Sequence, residues 1–93
     1  MEFRLLRYFV AVAEELHFAR AAERLGVEQS PVSRAMRNRE ATLGVQLFDR
    51  SANQTRLTWA GQVFLGESRR VLATVEQAVS AAKAAASARV SRM

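Results

Sequence analysis

Gln29, Ser30, Ser33, Arg34, Arg37 and Asn38 fall within one ten-residue stretch, and all are side chains that hydrogen-bond base edges and phosphates. A glutamine in the first turn of a helix can pair bidentately with adenine. Arg34, one or two turns further on, can reach guanine or a phosphate. The bland alternative for such a row is a solvated helix surface, the commoner case in general; a tight turn immediately before it favours recognition. Other chemistries fail on inventory. There is no cysteine and only one histidine, so thiolate metal sites and a zinc cluster are both excluded. A nucleophile such as Ser33 has no base, and no carboxylate pair or glycine-rich loop is placed to make a pocket. Neither an enzyme, a metal nor a cofactor is expected. His17 reads as a loop or capping residue.

The elements around this row explain its position. Leu5, Leu6, Tyr8, Phe9, Val12, Ala13 and Leu16 recur at helical spacing, with Arg4, Arg7, Glu14 and Glu15 on the other side, which predicts a first helix. After a break at His17, Phe18, Ala21, Ala22 and Leu25 share one face of a second, short helix that Gly26 stops. A third helix spans about 29–43 and is closed by Gly44. Pro31 is tolerable in it because first-turn amides lack an intrahelical acceptor. Val32, Met36 and Leu43 are its expected inward positions. Two short helices joined tightly, with small residues for close crossing, form a helix-turn-helix.

Downstream, Val45–Phe48 and Arg56–Thr58 read as two short strands around a polar loop. Thr58 caps a helix that starts at Trp59 and runs to roughly Ser87, a rod of about 43 Å at 1.5 Å per residue. Such a rod is too long for the rest of the domain to cover. Leu65, Ser68, Leu72, Val75, Val79, Ala82 and Ala86 follow alternating steps of three and four, the seam of a two-helix coiled coil, so a homodimer is expected. The same face could instead pack on the first helix of its own chain, which is the expectation for Phe64 and Leu65. Trp59 reads as a packing residue at the start of this rod.

At 93 residues the chain fits one small core, with 1–58 as a compact unit and 59–93 as helix and tail. Fourteen Lys and Arg against nine Asp and Glu leave a net charge of +5, which favours an anionic partner. The first ten residues lack the order of a signal peptide, and no run of 18 apolar residues occurs, so a cytoplasmic protein without membrane contact is expected. A surface-bound amphipathic helix is disfavoured, because beyond Leu72 the rod is mostly alanine with one lysine, Lys83. A pure protein-interaction module, with its basic face serving solubility, is the remaining competitor; it predicts weak, sequence-independent DNA affinity.

Four pieces in order, Phe18–Val27, Gln29-Ser-Pro-Val-Ser-Arg34, Leu43-Gly-Val-Gln-Leu-Phe-Asp-Arg50 and Leu57-Thr-Trp-Ala-Gly61, resemble the N-terminal domain of LysR-type bacterial transcriptional regulators. The likeness covers nearly the whole chain. It implies a mainly α fold, a winged helix-turn-helix followed by a long dimerisation helix, which binds double-stranded DNA sequence-specifically as a dimer on an interrupted palindrome. It implies major-groove contacts at Gln29, Ser33 and Arg34 and backbone contacts at Arg50 and Arg56 beside the wing. Arg50 could instead pair with Glu40 or Asp49, and Arg56 could be a solvated strand residue. Members of the family normally continue into a periplasmic-binding-protein-like domain. The expectation is therefore that this chain is a fragment or a truncated regulator, that an effector acts only through a domain absent here, and that a full-length protein is a tetramer.

Departures from the family pattern also carry expectations. Asn53 stands near the wing tip where an Arg is often found, so minor-groove attraction is weaker. Glu28 and Ala19 replace hydroxyl residues at helix starts. Arg39 occupies a position where the family places Leu on the inward face, so it must snorkel, find Glu40 or another carboxylate, or lie less buried than the pattern implies.

Overall fold

The computed structural model of the chain describes residues 2–51 and 54–91. Helix α1 is Phe3–Glu15, α2 is Phe18–Leu25 and α3 is Gln29–Leu43; strands β1 (Phe48–Asp49) and β2 (Arg56–Leu57) follow, then helix α4 (Trp59–Ser91). The helix boundaries have local causes. Leu16 ends α1 in the left-handed region, φ 52°, with its N–H donating to the Val12 carbonyl at 2.7 Å. His17 then caps α2, its Nδ1 accepting the Arg20 N–H at 3.2 Å. Gly26 and Gly44, φ 72° and 69°, close α2 and α3 in the conformation glycine adopts without a Cβ clash. Thr58 caps α4: its Oγ1 accepts the Gly61 N–H at 2.9 Å and donates to the Gln46 carbonyl at 2.7 Å.

The three short helices enclose Phe9, Val12, Ala21, Ala22, Val32 and Met36, with Leu47 and Phe48 closing the core from the wing side. Aromatic rings join the layers: Phe9 meets Phe64 of α4 edge-on at 4.8 Å and Phe48 at 5.4 Å, and Phe18 meets Phe48 at 5.7 Å. The wing is a two-stranded antiparallel ladder with Phe48 opposite Leu57 and Asp49 opposite Arg56. It is shorter than the pattern suggested. Val45 to Leu47 and Thr58 lie outside the two strands, although the Thr58 N–H still donates to the Leu47 carbonyl at 3.1 Å as Thr58 caps α4. The start of α4 lies against the base of the wing so closely that a Cβ on Gly61 would collide with the Leu47 carbonyl.

Several expectations are corrected by these contacts. On α3 the inward ridge is Val32, Met36 and Glu40, each four residues after the last, and Leu43 is exposed at the helix end. Trp59 is 76% exposed, because α4 turns Phe64, Leu65 and Ser68 inward and leaves Trp59 on the opposite side. Leu65 packs on the core of its own chain, the alternative expected for it and Phe64, and Ser68 is buried with its hydroxyl unpartnered among the described residues. Leu72 and Val75 line a groove of about 260 Å³ with Phe3, Val10 and Leu25 of the same chain. Val79, Ala82 and Ala86 stand exposed. The helix itself runs to Ser91, past the expected end near Ser87.

Arg39 is half-buried with its Nε enclosed and unpartnered among the described residues. Glu40 does not serve it, since its carboxylate is engaged by Arg50 and by the Leu47 and Phe48 amides. An unsatisfied buried donor costs about 1–3 kcal/mol. Arg39→Leu is accordingly expected to raise stability by about 1 kcal/mol, read as a higher urea midpoint at unchanged m-value. An unchanged or lower midpoint would show that Arg39 is satisfied outside the core.

Candidate nucleic-acid interface

Helix α3 divides cleanly. Val32, Met36 and Glu40 face inward, and Gln29, Ser30, Arg34, Arg37 and Asn38 are exposed, with Ser33 half-buried beside them. Among the described residues no hydrogen bond or ion pair engages any of these six side chains. The outward row is therefore a set of unengaged donors on a helix fixed from behind. Glu28 precedes it without a side-chain capping bond, which leaves the first amides of α3 open as well.

The wing flanks this row. Gln29 shares an open groove of about 550 Å³ with His17, Phe18, Gln54 and Arg56, so the start of α3, the start of α2 and strand β2 form one concave surface. Arg56 is exposed and, among the described residues, its side chain donates to the neutral Gln54 oxygen at 3.4 Å. Asp49 begins the wing loop by accepting the Ser51 hydroxyl at 2.6 Å and the Ser51 amide at 2.9 Å, bonds that hold its carboxyl below the usual carboxylate range. Asn53 lies outside the described residues.

Arg50 is placed differently from Arg56. Of the alternatives open in the sequence, the structure adopts the pair with Glu40, at 2.9 Å between Arg50 Nη2 and Glu40 Oε1. Pattern reading named Glu40 as a possible partner for Arg50 but missed its buried place on the inward ridge of α3. Its Oε2 accepts the Leu47 amide at 2.7 Å and the Phe48 amide at 3.1 Å. Burial pushes the carboxyl upward, but Arg50 and the two amides outweigh it and hold the group below its ordinary value. Its contribution to stability is therefore present above the ordinary carboxylate pKa and lost as pH falls through the depressed one. A second charged cluster lies on the far side: Glu14 of α1 accepts from Arg69 of α4 and from Arg24 of α2, each at 2.7 Å, which ties the long helix to the first two.

Among the described residues no group of three or more His, Cys, Asp or Glu could hold a metal ion, and no helix is long and apolar enough to cross a membrane. Residues 3–62 match the family described as bacterial regulatory helix-turn-helix protein, lysR family. The chain is 51% identical over 85 residues to the HTH-type transcriptional regulator ShiR of Corynebacterium glutamicum (strain R), covering 91% of this chain and 29% of that protein. It is 52% identical over 71 residues to the HTH-type transcriptional regulator XapR of Escherichia coli (strain K12), covering 76% of this chain and 24% of the relative. The chain thus spans about three-tenths or less of the length of these regulators. Its fold superposes on the crystal structure of a CbnR DBD–DNA complex with TM-score 0.85 at 48% identity, covering 92% of this chain and 99% of the other. On a BenM DBD/benA site 1 DNA complex the TM-score is 0.88 at 43% identity, covering 92% and 97% of the two chains. With more than half its residues inside the family pattern and half of them identical to a regulator's, the chain belongs to the lysR family of bacterial regulatory helix-turn-helix proteins.

Proposed function

We propose that this chain is the sequence-specific DNA-binding part of a LysR-type transcriptional regulator, acting in the cytoplasm as a homodimer on an interrupted palindrome and carrying no catalytic role. The observation that carries this is the row of unengaged donors on α3, from Gln29 to Asn38, beside an exposed Arg56 on the wing. A helix held from behind by Val32, Met36 and Glu40 can enter the major groove as a rigid body, its first turns toward the bases. The net charge of +5 supplies long-range attraction to a polyanion. Similar domains have been solved in complex with DNA, which supports a DNA-binding role. A small effector, and assembly into a tetramer, belong in this reading to a full-length protein.

Selection of the chain on a randomised duplex pool tests this directly. The expected outcome is an enriched sequence with two inverted half-sites separated by a fixed spacer. Enrichment of no sequence, with equal affinity for all duplexes, would favour the interaction-module reading instead.

A further inference from the structure

A charge pair links α3 to the wing, and its surroundings are unlike those of a phosphate-binding arginine. Glu40 projects from the inward ridge of α3 and is 8% exposed. Both its oxygens are engaged, one by the Leu47 and Phe48 amides and the other by Arg50. The Arg50 side chain is itself only 26% exposed. Its guanidinium carbon lies 5.6 Å from the ring centres of both Phe18, the first residue of α2, and Phe48 of β1. One cluster therefore joins the start of α2, the last turn of α3 and the first strand of the wing; α2 and α3 line the concave face, and β1 pairs with β2, which completes it.

We propose that the Glu40–Arg50 pair is the joint that sets the wing against the recognition helix, and that Arg50 acts on DNA affinity as a positioning residue, not by holding a phosphate. This rests on the DNA-binding reading above and sharpens it. Moving Arg50 fully onto a phosphate would draw it from a buried carboxylate and leave that charge uncompensated, a strongly unfavourable exchange. Arg56 is less restrained: its side chain is exposed, its hydrogen-bond partner is the neutral Gln54, and the Asp49 carboxylate opposite it in the ladder attracts it without a direct bond. The guanidinium also matters: it bonds the carboxylate while its carbon lies over two aromatic rings, a combination a compact ammonium does not reproduce.

The test uses the 93-residue chain titrated on its selected duplex and on a scrambled one at several salt concentrations, with Glu40→Gln, Arg50→Gln, the double variant and Arg50→Lys. Glu40→Gln is expected to weaken binding about tenfold, and Arg50→Gln by a similar factor. The double variant is expected to be no worse than either alone, and the slope of log affinity against log salt stays at the wild-type value in all. Arg50→Lys, which keeps the charge, is expected to lose affinity nearly as Arg50→Gln does. A phosphate-binding Arg50 predicts the opposite signs: Glu40→Gln would free it and raise affinity, Arg50→Gln would lower the slope by about one per subunit, and Arg50→Lys would largely retain binding. Any of these three results overturns the proposal. Hydrogen exchange at the Leu47 and Phe48 amides, measured without DNA, separates the joint from the function. Faster exchange in Arg50→Gln supports the joint, and unchanged exchange overturns it. Failure of the wild-type chain to prefer its selected duplex instead removes the DNA-binding reading.

Discussion

Val79→Glu combined with Ala86→Glu is expected to give a monomer whose affinity for a two-half-site duplex falls by roughly a hundredfold or more, while its affinity for a single half-site stays unchanged. Linking two binding units raises the effective concentration of the second at its site, a gain of about 10² to 10⁴ that needs no new contact with DNA. Losing the link loses all of that gain. Val79 is 49% exposed, and the face it shares with Ala82 and Ala86 continues the line of Leu72 and Val75 past the part of α4 that the domain covers. The molecule measures 62 × 25 × 20 Å, so the end of the helix projects well clear of the compact unit. An alanine-rich face permits close approach of a second helix, and a pair of glutamates on it places like charges in the contact. Leu72 is a poorer choice for this purpose. It lines the groove against Phe3, Val10 and Leu25 of its own chain, so a charge there would disturb folding and association together. Sedimentation equilibrium and titration on one-site and two-site duplexes read the two effects separately. An unchanged dimer would place the contact elsewhere on the chain.

The limits of the sequence pattern are clearest on this same helix. A three-four spacing says that a face is covered without saying by what, since α1 of the same chain and α4 of a partner present equivalent ridges. The structure divides the face: Leu65 and Ser68 are covered by the domain, Leu72 and Val75 lie at its edge, and Val79 onward is left exposed. Caps and turns were legible because their causes lie within a few residues. His17, Gly26, Gly44 and Thr58 each act on a neighbouring amide or adopt a conformation of their own. Glu40 was not legible in that way, because the groups that make a buried carboxylate tolerable come seven, eight and ten residues later, across the turn after α3. Its place on the Val32–Met36 ridge was the available signal: an acid in an apolar register, followed by an arginine, marks a satisfied charge. Hydrophobicity alone points Leu43 to that inward place, but it sits at the exposed helix end. A large aromatic at a helix start, such as Trp59, likewise resembles an anchor, and the sequence does not say which side of α4 faces the core.

The row on α3 and the arginine on the wing are expected to fail differently when removed. Gln29 and Arg34 are exposed in the first turns of the helix that Val32 and Met36 anchor, where side chains reach base edges. Gln29→Ala and Arg34→Ala should each cost about 1–3 kcal/mol on the selected duplex, a loss of roughly five- to 150-fold, and far less on a scrambled one. Arg56 lies across the groove on β2, exposed, where a positive charge can follow the sugar-phosphate backbone. Arg56→Ala should weaken binding to both duplexes by similar factors and reduce the salt slope by about one for each subunit bound, because it removes a cation that displaces condensed counterions. Neither α3 substitution alters the buried ridge, so thermal unfolding should move little, and the DNA measurements then report the surface itself. Salt titrations on the two duplexes distinguish the cases in one experiment. Equal losses on both duplexes for Gln29→Ala and Arg34→Ala would mean that α3 holds DNA without reading it, and sequence discrimination would have to come from the wing or from the shape of the duplex.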